Sequence, residues 1–213
     1  NDVLDVLVTG SLVISTDFDT ALKNDQVRAE IIGIPLSLVI LLFVFGTFTA
    51  AMLPMVIALL MITLATATSF WMSDWWFFGL TQYSVNMISL IGIAVSIDYS
   101  LFMISRFREE LDGGAEVEDA IAKMMETAGK AVLFSGATVA ISLCSLFYFT
   151  ATHIPSMAMG GSLAVAASLI YCLTVLPAML SYIGPKIDSL KVPLPGANTK
   201  TQFWEKFSTT VMK

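Results

Sequence analysis

Gly92-Ile93-Ala94-Val95-Ser96-Ile97-Asp98-Tyr99-Ser100-Leu101-Phe102-Met103-Ile104-Ser105-Arg106 decides how this chain folds. The stretch is apolar enough to cross a membrane, yet it carries an acid at Asp98. Its surroundings deepen the anomaly. From Ala29 to Ser105 there is no Lys or Arg, and the acids are Glu30, Asp74 and Asp98. From Ala131 to Pro185 there is no Asp, Glu, Lys or Arg at all. A single crossing needs about 20 apolar residues, so these runs predict a polytopic membrane protein. Composition agrees, with 56% hydrophobic and 13% charged residues against about 25% charged in a soluble domain.

Working outward, the sequence predicts an all-α bundle of five transmembrane helices over residues 31–183. The spans are expected at about 31–48, 54–72, 85–105, 131–150 and 157–183. Residues 1–30 read as water-facing. Val3–Ile14 alternates loosely around Gly10-Ser11, which fits a strand or strand pair, a short α/β remnant of an external domain. Ser15-Thr16-Asp17 offers an N-cap for a helix leading into the first span. Pro35 falls in the first turns of that span. Gly46-Thr47-Phe48-Thr49 is a turn, and Pro54 suits the start of the second span. Ser73–Ser84 is a loop whose Trp75, Trp76, Phe77, Phe78 and Tyr83 fit an interfacial aromatic belt.

Gly113-Gly114 breaks the polar segment after the third span. Val117, Ala120, Ile121, Met124, Met125 and Ala128 then recur at helical spacing. They predict an amphipathic helix over 115–129, lying on the membrane surface or against the bundle. Residues 184–213 form a linker around Pro193-Leu194-Pro195-Gly196, with an amphipathic helix restarting at Phe203-Trp204. The chain opens on polar residues with no Met-led apolar segment, which points to a piece of a longer protein.

Lys and Arg set the expected orientation. Arg106, Arg108, Lys123 and Lys130 follow the third span. Lys186, Lys191, Lys200, Lys206 and Lys213 follow the fifth. The loops at Asp74 and His153 carry no Lys or Arg. Residues 106–130 and 184–213 are therefore expected in the cytoplasm and residues 1–30 outside, and five spans satisfy that parity.

Asp98 is the candidate functional group. An acid near the centre of a membrane helix costs about 2.5–3.5 kcal/mol on insertion scales. Desolvation favours its protonated form and a nearby cation its ionised form. A carboxyl held between those conditions can take a proton on one side and release it on the other. Ser89, Gly92, Ser96 and Ser100 form a small-residue stripe opposite Asp98, which predicts a central, protein-enclosed helix. Tyr99 lies beside Asp98 and could share a hydrogen-bond network. Ser135, Thr138, Ser142 and Ser145 share one face of the fourth span. Hydrogen-bonded packing accounts for the last three, while Ser135 lies at a depth comparable with Asp98. Gly160, Ala164, Ser168 and Cys172 read as a packing stripe. Cys144 and Cys172 read as small apolar residues, and His153 as a plain loop residue. No phosphate-binding loop, metal spacing or nucleophile constellation appears, so no cofactor and no enzymatic activity are expected. No basic patch points to nucleic acid. Work on a solute would draw on an ion gradient.

Gly92–Phe102, with Ser105-Arg106-Phe107-Arg108-Glu109-Glu110-Leu111 after it, resembles the MmpL branch of the RND transporter superfamily. Thr127-Ala128-Gly129-Lys130-Ala131-Val132-Leu133-Phe134-Ser135-Gly136, Thr174-Val175-Leu176-Pro177-Ala178 and the hairpin Phe43–Pro54 extend the likeness to about 25–183. The resemblance implies an RND-type bundle, also similar to sterol-sensing domains. It would comprise the second to sixth transmembrane helices of the first of two pseudo-repeats, with 1–30 the end of a porter-like domain. It maps the family's proton-relay Asp-Tyr pair onto Asp98 and Tyr99, and the serine facing that relay onto Ser135. The partner acid would come from second-half helices outside this chain. Such proteins export lipids, glycolipids, siderophores or drugs across the bacterial cytoplasmic membrane. Membrane lipids, a hydrophobic or lipid substrate, the second-half helices and an oligomer are the partners this implies. A lipid- or sterol-sensing module and a protein-export module of the same fold stand as alternatives.

Overall fold

The structure is a computed structural model and describes residues 10–73, 81–149, 154–190 and 209–210. Among the described residues the α-helices are, in order, α1 (Ser11–Phe45), α2 (Phe48–Ser73), α3 (Gln82–Asp112), α4 (Val117–Met124), α5 (Lys130–Cys144), α6 (Ile154–Ile170) and α7 (Leu176–Ile183). A wide π-turn, Met125–Gly129, fuses α4 to α5, and a second, Tyr171–Val175, fuses α6 to α7. Five continuous rods result, each long and apolar enough to cross a membrane. The fold is the expected all-α bundle.

The rods overrun the expected spans for local reasons. Ser11–Ile14 is helical, so the strand expected over Val3–Ile14 does not form there; residues 3–9 lie outside the described segments. The expected cap at Ser15-Thr16 is not used either. Both hydroxyls bond back to the Leu12 carbonyl at 3.0 and 2.8 Å, and the helix propagates one more turn towards Gly10. At the other end of α1, Gly46 adopts φ 68° and gives its N–H to the Leu42 carbonyl, a left-handed stop suited to glycine. Gly46 and Thr47 alone separate α1 from α2, so Pro54 sits in the second turn of α2 and does not start it. α3 begins at a Thr81–Ser84 capping box and extends seven residues beyond Ser105. The π-turn at Tyr171–Val175 ends two residues before Pro177. Widening the ladder there accommodates a ring that cannot donate and that crowds the carbonyl four residues back. The aromatic loop at 75–78, His153 and the start of the tail helix at Phe203–Phe207 fall outside the described residues; 209–210 are helical.

Two constant registers define the packing. α3 meets α6 through Ser84–Ser156, Ser96–Ser168 (2.7 Å) and Ser100–Cys172 (3.5 Å), each pair 72 residues apart. α1 meets α3 through Gln26–Ser89 and Phe45–Arg108, each pair 63 residues apart. A constant offset means that paired helices run in the same direction, so α1, α3 and α6 are parallel, while α2 and α5 return between them. The small-residue stripe makes this possible. Gly92, Ser96 and Ser100 are buried on α3 against Ala164 and Ser168 of α6 and Cys172 of the π-turn that continues it. A Cβ on Gly160 would run into the Ser84 backbone, so α6 approaches α3 at backbone contact.

The main core gathers at the Asp112 end of α3. Leu41, Ile57, Met103, Ile104, Phe107, Ala120, Met124, Ala128, Cys172, Leu176 and Leu180 belong to it. Burial of Ala120, Met124 and Ala128 chooses between the two placements open for the amphipathic helix. It packs against the bundle, and its apolar stripe runs without a break into α5. A smaller cluster, Met61, Ala65, Ile88, Ala164 and Ala167, fills the other half between α2, α3 and α6. α1 stands apart from it.

Candidate functional site

Two polar ties hold α1 to α3. At one end the Gln26 amide donates to Ser89 Oγ at 3.0 Å and to Glu30 Oε1 at 2.9 Å. At the other, Arg108 donates to the Phe45 carbonyl at 2.8 Å. Its guanidinium also lies 5.8 Å from the Phe45 ring centroid and 2.6 Å from Asp188. Gln26 and Phe45 are nineteen residues apart, about 28 Å along a helix, which matches a hydrocarbon layer about 30 Å thick. Asp98 lies nine residues from Ser89 and ten from Arg108, about 14 and 15 Å. The acid is therefore midway between the ties. Asp98 is only seven residues, about 10 Å, from the end of the uncharged run at Ser105, which by itself would place it nearer the Arg106 end; the continuation of α3 to Asp112 places it midway.

The structure distributes the three candidate residues over two cavities. Asp98 is exposed on the face of α3 that also carries Leu90, Ala94, Phe102 and Ser105. It lines a cavity of about 520 Å³ between α1 and α3, with Gln26, Glu30, Asn86 and Ser89 among the polar lining groups. Tyr99 is half-buried and turns the other way. It lines a smaller depression of about 240 Å³ with Phe102, Ala131, Val132 and Ser135. Tyr99 and Ser135 thus border the same depression, while Asp98 faces elsewhere. Consecutive helical residues point about 100° apart, and that angle separates Asp98 from its neighbour here.

Asp98 has no cationic partner among the described residues, whose ion pairs engage Asp25, Glu109, Glu110, Glu126 and Asp188. Those charges gather near the helix ends. Arg106 binds Glu109 and Glu110, and Lys123 reaches Glu110 at 3.1 Å. The hydroxyls of α5 are spent locally. Thr138, Ser142 and Ser145 bond to Phe134, Thr138 and Ser142 carbonyls within their own rod and are exposed. The interhelical bonding expected of them is absent, since a backbone acceptor one turn back is always nearer. No group of three or more His, Cys, Asp or Glu able to hold a metal occurs among the described residues.

The profile of the MMPL family matches residues 1–213. The chain belongs to the MMPL family. Its bundle is accordingly of the RND type, and the MMPL match covers the Asp-bearing helix and both π-turns. Among curated MMPL relatives, the mycolic acid-containing lipids exporter MmpL11 of Mycolicibacterium smegmatis is 34% identical over 197 residues, 91% of this chain and 20% of that protein. The trehalose monomycolate exporter MmpL3 of the same organism is 34% identical over 188 residues, 88% of this chain and 18% of that protein. A heme uptake protein, MmpL11 of Mycobacterium tuberculosis, is 30% identical over 217 residues, 100% of this chain and 22% of that protein. The chain thus spans about a fifth of the length of these relatives.

The sequence singles out Asp98, Tyr99 and Ser135 as candidates but not the other wall of the Asp98 cavity. Gln26 and Glu30 were assigned to the water-facing segment. Their spacing of four places them on one helix face, and Asn86 and Ser89 are three apart on α3. Those two polar pairs were the available signal. Only the 63-residue register joins them.

Proposed function

We propose that this chain is part of the membrane core of an MMPL transporter that exports lipids or other hydrophobic compounds using the proton-motive force. Asp98 is the proton-carrying group, and Tyr99 with Ser135 completes the relay. The observation that supports this most is the placement of Asp98: an acid at mid-depth, with no cationic partner among the described residues, on an exposed face of α3. An acid at that depth is costly to insert, so its presence there is better explained by a role in transport than by stability. The uncovered stripe Leu90-Ala94-Asp98-Phe102-Ser105 is where second-half helices of the full-length protein would bring the partner charge. The energy source is the proton gradient, no cofactor takes part, and no substrate is chemically altered. The relatives named as exporters support the direction of transport.

The charge pattern supports placement in the bacterial cytoplasmic membrane with the Gln26–Ser89 tie facing out and the Arg108 tie facing in. Residues 1–30 would then be the external approach to α1, and 106–130 and 184–213 cytoplasmic. The test is Asp98→Asn in the full-length protein, which should abolish export while the protein still inserts and accumulates. Export at the wild-type rate would end the relay assignment. The apolar walls of the α1–α3 cavity favour a second reading, a lipid-sensing module of the same fold. In that case lipid binding would persist unchanged when an uncoupler collapses the proton gradient and when Asp98 is replaced.

A further inference from the structure

We propose that the segment Gly184–Leu190 is a clasp on the α1–α2 turn that opens and recloses in each transport cycle, with Arg108 and Asp188 as its charged jaws. This rests on the reading of the protein as a transporter driven by the proton-motive force and adds a moving part to it. At rest the clasp is shut. Ile187 is fully buried in the main core, and Gly184 is buried beside Val117 at the start of α4. Beyond Ile187 the hold is polar. Asp188 lies 2.6 Å from the Arg108 guanidinium. Ser189 meets the Thr49 hydroxyl through its carbonyl at 3.2 Å and its own hydroxyl at 3.0 Å. The Leu190 carbonyl accepts the Phe48 N–H at 3.2 Å.

The shut clasp is under load. Thr47, in the turn it covers, is 2% exposed, yet its hydroxyl has no hydrogen-bond partner among the described residues. Arg108 Nε and Asp188 Oδ1 are buried atoms in the same condition. The ion pair brings Asp188 Oδ1 close to Arg108 without lining it up with an N–H. A buried polar atom left unpaired is destabilising, and hydration removes that cost. The fourth such side-chain atom among the described residues is Arg106 Nε, two residues before Arg108, so all four gather at this end of α3. Leu190 adds backbone strain. It is the non-glycine residue with positive φ, 57°, among the described residues, a conformation that a Cβ disfavours. Opening hydrates the unpaired atoms and lets Leu190 relax, while apolar burial of Ile187 favours closing. Strain held against packing in this way is characteristic of switch segments. Gly184, at φ 52°, provides a hinge at the start of the segment. The link to Asp98 is α3 itself. Arg108 follows Asp98 by ten residues on one unbroken helix, and its guanidinium holds the Phe45 carbonyl and Asp188 at once. A rotation of α3 that follows a change of charge at Asp98 displaces both contacts together.

The clasp is tested in the full-length protein in native membrane vesicles, with every native cysteine replaced by serine. Thr47→Cys and Ile187→Cys place one buried thiol on each side of it. N-ethylmaleimide crosses membranes, so the side on which the clasp lies is immaterial. It reacts with the thiolate, which forms in water and not in a packed interior. Rates are divided by that of Ser189→Cys, exposed on the same segment, which corrects for any change of pH. Both buried thiols should label several-fold faster in vesicles energised by respiration than after an uncoupler is added, with Ser100→Cys at the α3–α6 seam unlabelled throughout. No labelling of either thiol in energised vesicles, or equal rates with and without the uncoupler, would overturn the clasp. Asp188→Asn combined with Thr47→Cys should label fast without a gradient, and an unchanged slow rate would remove the charged pair from the device. Labelling does not require the relay assignment to hold. Export by Asp98→Asn at the wild-type rate sinks the relay alone, whereas loss of export in Asp98→Asn together with labelling that ignores the gradient sinks the clasp alone.

Discussion

Asp98 concentrates the tension between stability and function at a single residue. A carboxyl midway through the membrane costs about 2.5–3.5 kcal/mol on insertion scales, and no ion pair among the described residues offsets it. Asp98→Leu should therefore raise the thermal midpoint of the full-length protein in detergent while export is lost. A lower midpoint would mean that Asp98 holds the bundle together. The buried hydroxyls behave differently. Ser96 and Ser168 bond to each other at 2.7 Å, yet each can turn to a carbonyl of its own helix when its partner is lost. Interhelical bonds of this kind average about 0.6 kcal/mol in membranes, so Ser96→Ala should shift the same midpoint only slightly.

At the level of the element, α3 and α6 depend on missing side chains more than on hydrogen bonds. A Cβ on Gly160 meets the backbone of Ser84, which cannot move aside, whereas a Cβ on Gly92 meets the flexible end of Met61. Gly160→Ala should cost about 1–3 kcal/mol as an overpacked contact, and Gly92→Ala clearly less. Thermal denaturation of the two variants side by side measures the difference, and equal losses would contradict the seam described here. The stripe itself was legible, because small residues four apart on a membrane helix mark a packing face. Its partner and direction were not. Ser84, Ser96 and Ser100 meet residues 72 positions later, and no local pattern encodes that number.

For the whole molecule, Arg108 gathers three chain ends: the Phe45 carbonyl at the end of α1, its own helix α3, and Asp188 beyond α7. Close by, the Phe48 N–H reaches the Leu190 carbonyl at 3.2 Å and the Thr49 hydroxyl reaches Ser189. Arg108→Ala should open this end of the bundle. Charge-assisted hydrogen bonds contribute about 1.5–3 kcal/mol, and the loss should appear as a lower thermal midpoint. Arg108→Lys should recover part of it, since an ammonium keeps the charge but not the planar fork that serves carbonyl and carboxylate together. Full recovery by lysine would show that charge alone matters.

The sequence by itself determined that the chain holds five runs long and apolar enough to cross a membrane, that Asp98 is its misfit, and that Gly92, Ser96 and Ser100 turn away from it. Those features are local. They follow from the length of uncharged runs, the cost of a charge in hydrocarbon and the 3.6-residue period of one helix. The overrun of α3 to Asp112, the fusion of α4 with α5 and the helical start at Ser11 were less legible, because polar residues there mark a departure from lipid and not the end of a helix. Only the tertiary structure decided which helices run parallel, that Asp98 sits midway between two ties, that Tyr99 and Ser135 share one cavity, and that Glu30 and Gln26 share another with Asp98. These depend on registers of 63 and 72 residues. A register is set where side chains from distant segments fit together, so it is fixed by packing and not by the order of residues along any one helix.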